Sequence, residues 1–424
     1  MSVISSKKDF QCSRTRRNLF FGLCFCSLLP LCTFAQTPAM FDAAKIEAVI
    51  QTTMAEQHIP GLAIAIIQNN EVVWSKGYGL ANIKTQTPMT ADTIQNIASV
   101  SKTVTATAVM QLWEQGKLDL DVDINTYLPF SVRNPTYPDV PITARQLLSH
   151  RSSIKDSNAY DDSYVCGDPA ISLKEWLMEY FTPGGKYYDT KGNFHTWQPG
   201  EQGKLPEEPR NYSNVGFGLL GYLVEVLAGQ PFAEYCIEHI FAPLSLTETS
   251  WYLAGLAEEK LAVPYTYNQD NAEFQEAIRL IQELGFMSRE PEATPDGSEF
   301  WAYCRYSFPN YPDGTLRTSV NQLARFLLAY MNAGTVGETR LLQSLTVQQV
   351  FTPHYPSAPK QGLCWVKTED DDKNTLWGHG GGDPGVQTAM FFRPDDQLGM
   401  VMFLNTDSAD TTAIFDAIFA ATTK

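Results

Sequence analysis

The 424-residue chain is poor in basic charge and in histidine, and it contains no metal-binding motif. Lysine and arginine number 31 against 47 aspartates and glutamates, so the formal net charge is -16. Because such an excess of negative charge repels polyanions, we expect neither nucleic acid nor an anionic membrane surface as a partner. The six histidines are scattered, at positions 58, 150, 195, 239, 354 and 379, and no cysteine pair has zinc-ligand spacing. We therefore expect no catalytic metal and no other cofactor.

Long hydrophobic runs are also scarce, with one within residues 19–32 and none of membrane length after it. Basic residues in segment 7–17 precede this run, and residues 33–35 offer small side chains at a cleavage position. The pattern predicts a signal peptide over residues 1–35 and a periplasmic or secreted protein with no stable membrane span after processing. The basic segment also resembles a twin-arginine signal. An uncleaved anchor is disfavoured because Pro30 interrupts an already short run.

Four of the eight cysteines lie in the predicted signal peptide, and the other four allow three disulfide pairings. Cys236 lies in a helix-like segment and Cys364 in a strand-like one, so we expect both to be buried thiols. Cys166 and Cys304 lie in loop-like insertions. These two can form a disulfide in an oxidising compartment, although the sequence leaves their pairing open.

The pattern Ser-x-x-Lys, which can place an amine beside a serine hydroxyl, occurs at four serines: Ser5, Ser99, Ser152 and Ser357. Only Ser99 opens a helix, because apolar residues recur at four-residue spacing over 104–112. On that helix Lys102 lies one turn from Ser99, within hydrogen-bond reach of its hydroxyl. The helix dipole also favours an oxyanion at the Ser99 N–H. As a base, Lys102 would have to be neutral.

Two further motifs follow along the chain. Tyr212-Ser-Asn214 lies where a loop is predicted to enter a helix, so its side chains can point into a cleft. Tyr330-Met-Asn332 fits the same pattern but falls inside a regular helix, which makes it the weaker candidate. The third motif, His379-Gly-Gly381, lies in a glycine-rich segment near the carboxyl end.

Taken in order, the three motifs resemble those of the serine beta-lactamase and penicillin-binding protein superfamily, in its class C-like branch of esterases, D-aminopeptidases, DD-carboxypeptidases and beta-lactamases. The resemblance runs from about residue 61 to about residue 406. Further matching segments are 111–121, 144–150, 212–221, 314–319 and 401–405. The resemblance implies an α+β fold, with a beta-lactamase-like antiparallel sheet flanked by helices, an inserted mostly helical region, and the active site in the cleft between them.

The resemblance also implies roles for the residues of the first two motifs. Ser99 would be the nucleophile, and Lys102 and Tyr212 would share the general base and acid roles, since a phenol beside an ammonium exchanges protons readily. Asn214 would hold Lys102 and donate a hydrogen bond to the substrate. The alternative for this second motif is a core tyrosine followed by a capping asparagine.

In the third motif the chain departs from the lactamases, which carry Lys-Thr-Gly there. His379 stands in place of the lysine and is a weaker, partly neutral donor toward a substrate carboxylate. Gly381 would let the substrate approach the strand closely, and the Gly382 N–H would complete an oxyanion hole with that of Ser99. A merely structural glycine-rich turn is the alternative.

Hydrophobic patterning predicts one domain over residues 36–424. Its sheet part covers about 36–98 and 355–424, and its helical part about 99–354. The predicted elements are helices at 41–54, 99–115, 213–228, 320–332 and 411–421, a hairpin over 62–78, and strands at 362–368, 386–393 and 398–405.

Two insertions, 155–211 and 254–312, carry many aromatic residues, which would suit an apolar acyl or peptide group or would pack among themselves. The sequence therefore predicts an exported serine hydrolase that forms an acyl-enzyme at Ser99 with a small ester, amide or D-amino-acid peptide. A beta-lactamase or DD-carboxypeptidase is one alternative. The other is a non-catalytic relative that binds cell-wall peptides or a protein.

Overall fold

The computed structural model describes residues 42–201 and 212–420, and the predicted signal peptide over residues 1–35 lies outside them. The helices are α1 Ala43–Glu56, α2 Ser101–Glu114, α3 Ala144–Leu148, α4 Asn158–Asp161, α5 Leu173–Phe181, α6 Asn214–Ala228, α7 Phe232–Cys236, α8 Ala272–Glu283, α9 Val320–Met331, α10 Ser344–Val350 and α11 Thr412–Ala420. A π-helical turn, Ile237–Phe241, follows α7. Short 3-10 turns occur at Ala98–Val100, Ile124–Thr126, Glu258–Lys260 and Tyr311–Asp313.

The strands are β1 Gly61–Gln68, β2 Glu71–Asn82, β3 Thr87–Pro88, β4 Gln95–Asn96, β5 Val165–Cys166, β6 Tyr265–Tyr267, β7 Glu292–Ala293, β8 Glu299–Ala302, β9 Tyr306–Ser307, β10 Arg317–Thr318, β11 Thr335–Val336, β12 Thr339–Arg340, β13 Val366–Glu369, β14 Thr375–Asp383, β15 Val386–Arg393 and β16 Leu398–Leu404. Seven of them form the main antiparallel sheet in the order β13-β14-β15-β16-β1-β2-β3. The amino-terminal hairpin thus lies beside the carboxyl-terminal strands, with Leu62 opposite Leu404. This is the α+β architecture expected from the sequence.

Two apolar layers cover the main sheet, one on each face. On one face, α1 and α11 bury residues such as Ile46, Ile50 and Ile414 against the even-numbered residues of β1. On the other face, the helical region packs against the odd-numbered residues of β1. Because both faces are covered, β1 is buried along its whole length and is apolar at nearly every position rather than alternating.

Most elements predicted from apolar periodicity are present, with ends that differ by a few residues. The predicted strand 362–368 is wrong over its first half, because Cys364 has a φ of +72° and the strand begins only at Val366. The sequence pattern also gave no strand signal for β14. Its three successive glycines disfavour a strand locally, and pairing with β15 along its length overrides that preference.

The two insertions are joined to each other. A disulfide links Cys166 to Cys304, which confirms the pairing that the sequence left open. Cys236 and Cys364 are buried thiols, as predicted. Within the described residues no single helix is long and apolar enough to cross a membrane. One pair, Asn214–Ala228 with Phe232–Phe241, passes that test only when taken together across a 79° bend.

Candidate active site

Ser99 lies in the 3-10 turn that leads into α2, at the boundary between the sheet and the helical region. The preceding residue, Ala98, has a φ of +46°, a region that a residue with a Cβ rarely adopts. Two hydrogen bonds hold this segment: the Ala98 N–H donates to Asn96 Oδ1 (2.9 Å), and Thr388 Oγ1 donates to the Ile97 carbonyl (2.9 Å). Ser99 is therefore fixed in place, while remaining partly exposed to the cleft.

The Lys102 side chain lies where the helical spacing predicts. Its Nζ donates to Ser99 Oγ over 3.1 Å and to the Asp313 carbonyl over 2.7 Å, and Asp313 Oδ2 is 3.5 Å away. The Nζ also lies 4.9 Å from the centre of the Tyr212 ring. Both Lys102 and the Asp313 carboxyl are buried, so these contacts are not screened by water.

The surroundings of Lys102 favour its charged form, whereas the general-base role predicted from the sequence requires a neutral amine when the reaction begins. Burial alone lowers the pKa of Lys102, but the oxygens of Tyr212 and Asp313 favour the ammonium more strongly, so the pKa lies above its ordinary value. Burial raises the pKa of Asp313 to about 6, and the Lys102 ammonium limits that rise. At neutral pH the resting site therefore holds an ammonium beside a carboxylate.

Tyr212 precedes α6 and Asn214 is the first residue of that helix, whose start is capped by the half-buried carboxylate of Asp156. Asp156 accepts hydrogen bonds from Ser213 Oγ (3.1 Å) and from the N–H groups of Asn214 (2.9 Å) and Val215 (3.0 Å). The Tyr212 ring stacks on that of His150, with ring centres 4.2 Å apart. Among the described residues, Asn214 forms hydrogen bonds through its backbone N–H and carbonyl. The contact between the Asn214 side chain and Lys102 therefore stays a prediction.

The third motif lies on β14 at a free strand edge. Strand β13 pairs with Thr375–Gly378 only, so no described strand covers the outer edge of β14 beyond Gly378. A Cβ on Gly381 would lie 3.0 Å from the Ser99 nitrogen and 2.7 Å from the Ile97 carbonyl oxygen. The strand thus passes directly beside the backbone of Ser99. Gly382, the predicted oxyanion donor, is exposed, with open space where a side chain would stand.

His379 comes two residues before Gly381, so its side chain lies on the same face of β14. Its ring is buried, with its centre 6.4 Å from that of Tyr212. The structure therefore brings Ser99, Lys102, Tyr212, His379 and Gly381 into one cleft. The rival tyrosine, Tyr330, is instead in the core, where its hydroxyl is 2.7 Å from Thr107 Oγ1.

Sequence reasoning missed three acidic residues of this site: Asp313, which is buried, and Asp156 and Asp383, which are half-buried. Asp313 accepts a hydrogen bond from the Tyr160 hydroxyl (2.8 Å), and Asp383 accepts one from the Tyr164 hydroxyl (2.8 Å). Burial raises the pKa of Asp383 to about 7. Sequence spacing could not indicate these residues as part of the site, since Asp313 and Asp156 are far from Lys102 along the chain. Residues 42–201 and 212–420 contain no group of three or more His, Cys, Asp and Glu side chains that could hold a metal ion.

A sequence model of the family described as Beta-lactamase matches residues 46–423. The chain belongs to the beta-lactamase family of serine hydrolases. The match covers the whole described structure except its first few residues. It therefore includes all three motifs that line the cleft.

Curated relatives and solved structures agree with this assignment. The chain is 26% identical to protein flp of Staphylococcus aureus over 52% of its own length, but the match spans only 41% of that protein. It is 23% identical to penicillin-binding protein 4* of Bacillus subtilis, over 85% of this chain and 71% of that one. In fold it resembles the D-amino acid amidase of Ochrobactrum anthropi SV3, with a TM-score of 0.67, 20% identity, and coverage of 90% and 99% of the two chains.

Proposed function

We propose that the protein is an exported hydrolase that cleaves small esters or amides, including D-amino-acid derivatives, through an acyl-enzyme at Ser99. The observation that carries the proposal is the 3.1 Å contact between Lys102 Nζ and Ser99 Oγ inside a buried network. A serine hydroxyl becomes a useful nucleophile only when a basic group lies within such reach, and Lys102 is such a group once its ammonium has released a proton. The established chemistry of the family's serine hydrolases makes acyl transfer the natural use of this geometry.

In the first half of the proposed reaction, Ser99 Oγ attacks the substrate carbonyl and its proton passes to the Lys102–Tyr212 pair. An ammonium beside a phenol cannot take up this proton, so the reactive form of the pair is the one that has first released one proton to solvent. The N–H groups of Ser99 and Gly382 stabilise the oxyanion. Tyr212 then gives the proton to the leaving alcohol or amine as the carbonyl–heteroatom bond breaks.

In the second half, a water molecule replaces the leaving group. The Tyr212 oxygen accepts a proton from this water as it attacks the acyl carbon, and the proton returns to Ser99 Oγ when the ester bond breaks. The acid product leaves and the enzyme is restored. This cycle needs one proton shared between Lys102 and Tyr212, so a neutral lysine is not required at rest.

His379 on β14 should favour neutral substrates over substrates that carry a carboxylate. His379 occupies the cleft beside Tyr212, in the position where the lactamases have a lysine. A neutral or partly charged imidazole attracts a carboxylate less than an ammonium does. We therefore place esters and amides ahead of penicillins. Because the fold resembles that of a D-amino acid amidase, D-amino-acid amides are the first amides to test.

The proposal of export is supported by one prediction from the sequence and one feature of the structure. The signal peptide predicted over residues 1–35 would direct the chain out of the cytoplasm. The Cys166–Cys304 disulfide joins two partly exposed cysteines, and such bonds persist in oxidising compartments such as the periplasm. Fractionation of the producing cells, followed by intact-mass measurement of the purified protein, tests both the cleavage site and the disulfide.

The experiment that tests the function labels the purified protein with a fluorophosphonate and maps the label by peptide mass spectrometry. We expect label on Ser99, and none on the Ser99→Ala variant. A panel of para-nitrophenyl esters, D-amino-acid amides and a chromogenic cephalosporin then identifies the substrate class. Efficient cephalosporin turnover would favour the beta-lactamase alternative. An unlabelled Ser99 with no turnover would instead favour the binding protein.

A further inference from the structure

A groove with a volume of about 710 Å³ begins where β14 ends. Its walls are mainly apolar and come from both insertions: Tyr164, Ile281, Leu284, Phe286, Tyr303 and Tyr306. The most exposed of these is Leu284, with 76% of its surface accessible, although it is a large apolar residue. Exposed apolar surface of this kind next to a catalytic cleft is typical of a ligand-binding surface. We name this surface the insertion groove.

Two hydrogen bonds connect the insertion groove to the strand that carries the third motif. Tyr164 donates its hydroxyl proton to Asp383 Oδ1, and Tyr306 donates to the Pro384 carbonyl, both over 2.8 Å. Asp383 follows Gly381 by two residues, and a strand advances about 3.4 Å per residue. The groove therefore opens roughly 7 Å from the point where β14 passes the Ser99 nitrogen.

The position of the proposed acid decides which half of a substrate faces the groove. Tyr212 protonates the leaving group, so the leaving group lies at the Tyr212 and His379 end of β14. The acyl group is bonded to the opposite side of the reacting carbonyl. It therefore extends along the free edge of β14 toward Asp383 and the insertion groove.

The walls of the groove are fixed to one another before any substrate arrives. The Cys166–Cys304 disulfide joins the segment after Tyr164 to the segment after Tyr303. The Cys304 N–H donates to the Phe286 carbonyl over 2.8 Å, which holds the end of α8 against the same segment. A groove held in this way loses little conformational entropy when a ligand binds.

Charge at the groove rim selects against anionic ligands. Asp161 and Asp162 line the groove, and both are exposed. Asp383 lies at its junction with β14. No basic side chain lines the groove among the residues that the structure describes. Because carboxylates repel a negative group, the occupant is uncharged or cationic and has an apolar body.

We infer that the insertion groove is the acyl-binding subsite, and that it selects substrates whose acyl group carries an uncharged apolar chain reaching beyond about six atoms from the reacting carbonyl. Six chain atoms span the two residues, or about 7 Å, between the nucleophile and the groove. This inference rests on the proposed function for the direction of the acyl group. It goes beyond that function in naming the class of acyl group and the residues that bind it.

The test compares para-nitrophenyl acetate, butyrate and octanoate with the unmodified enzyme, Leu284→Asp and Leu280→Asp. Leu284 lies in the groove just after α8, whereas Leu280 lies within α8, is 49% exposed and is outside the groove. We expect kcat/KM to rise at least fourfold from butyrate to octanoate in the unmodified enzyme, because the end of the octanoyl chain passes six atoms and each buried methylene contributes roughly a fourfold gain. Leu284→Asp should remove most of that rise. Leu280→Asp should preserve it.

A binding measurement separates this inference from the proposed reaction. Titration calorimetry with octanamide and the Ser99→Ala protein needs no turnover, and we expect Leu284→Asp to weaken this binding about tenfold and Leu280→Asp to leave it unchanged. If Ser99 proves inert but octanamide binds in this pattern, the acyl-binding role of the insertion groove is supported and the proposed hydrolase is wrong. The acyl-binding role is wrong if acetate is turned over but kcat/KM does not depend on chain length, or if Leu284→Asp leaves octanamide binding unchanged.

Discussion

The helical wall of the cleft presents charged and buried side chains, whereas the sheet wall presents a strand edge made largely of glycine. On the helical wall, Lys102 and Asp313 are buried together and share hydrogen bonds with Ser99 and Tyr160. On the sheet wall, Gly380, Gly381 and Gly382 leave the backbone of β14 open to the cleft. The first wall is suited to moving protons, and the second to receiving an extended substrate backbone.

This difference implies that the two walls respond differently to substitution. Changes on the helical wall should act on the chemical step, and so on kcat, with every substrate. Changes on the sheet wall should act on which substrates fit, and so on the ratio of kcat/KM values between substrates. The predictions below test this division, from the largest expected effect to the smallest.

The largest effect is expected from removing the proton relay. Tyr212→Phe keeps the ring that stacks on His150 but removes the hydroxyl, so kcat should fall by roughly 10²–10⁴ for esters and amides alike. Lys102→Ala should cause a loss of the same order. Steady-state kinetics with one ester and one D-amino-acid amide give both values. Unfolding midpoints provide the control, and near-normal turnover by a folded Tyr212→Phe protein would assign the relay to another group.

The next effect is expected at the contact between the two walls. A methyl group added at Gly381 would meet the Ser99 nitrogen and the Ile97 carbonyl, which are backbone atoms that cannot rotate away. Gly381→Ala should therefore lower kcat/KM by about 10² with all substrates, because the nucleophile is displaced. Gly380→Ala is the matched control, since the nearest atom to its Cβ is 3.9 Å away. Equal losses in the two variants would show that the strand edge tolerates no side chain at all.

The sequence predicted the helical wall better than the sheet wall. Ser99 and Lys102 are three residues apart on one helix, so local spacing alone brings them together. By contrast, β14 is a strand because of its pairing with β15, and its glycines give no local signal of that pairing. Asp313 meets Lys102 only through tertiary packing, and neither its sequence neighbours nor the motif pattern indicates the contact. Distant contacts of this kind set the charge on Lys102 and could not be derived from spacing.

A smaller effect is expected from restoring the lysine of the lactamases. His379→Lys places an ammonium in the cleft, and a charge-assisted contact with a substrate carboxylate is worth about 1.5–3 kcal/mol. The ratio of kcat/KM for a cephalosporin to that for para-nitrophenyl butyrate should therefore rise at least tenfold. His379→Gln, which adds no charge, is the control. A ratio that rises equally in both variants would attribute the selectivity to shape rather than to charge.

The smallest effect is expected from Asp313, and it concerns pH. Burial lowers the pKa of Lys102 and the Asp313 carboxylate is one of the groups that raise it, so Asp313→Asn should lower this pKa and move the part of the pH–rate profile that follows Lys102 toward lower pH. We expect a shift of about one pH unit, with little change in the maximum rate. Because the pKa of Asp313 is about 6, the carboxyl is neutral below that pH. Below pH 6 the unmodified enzyme and the variant should therefore have similar values of kcat/KM.

Asp383→Asn is the matched control for this pH prediction. Asp383 is a second carboxyl of raised pKa and is half-buried, but it accepts hydrogen bonds from Tyr164 and Asn96 rather than from Lys102. Its removal should shift the profile less than the removal of Asp313, because coulombic coupling falls with distance. Profiles of kcat/KM from pH 5 to pH 10 with one ester decide the point. An Asp313→Asn profile that coincides with that of the unmodified enzyme above pH 7 would show that Asp313 does not set the charge on Lys102.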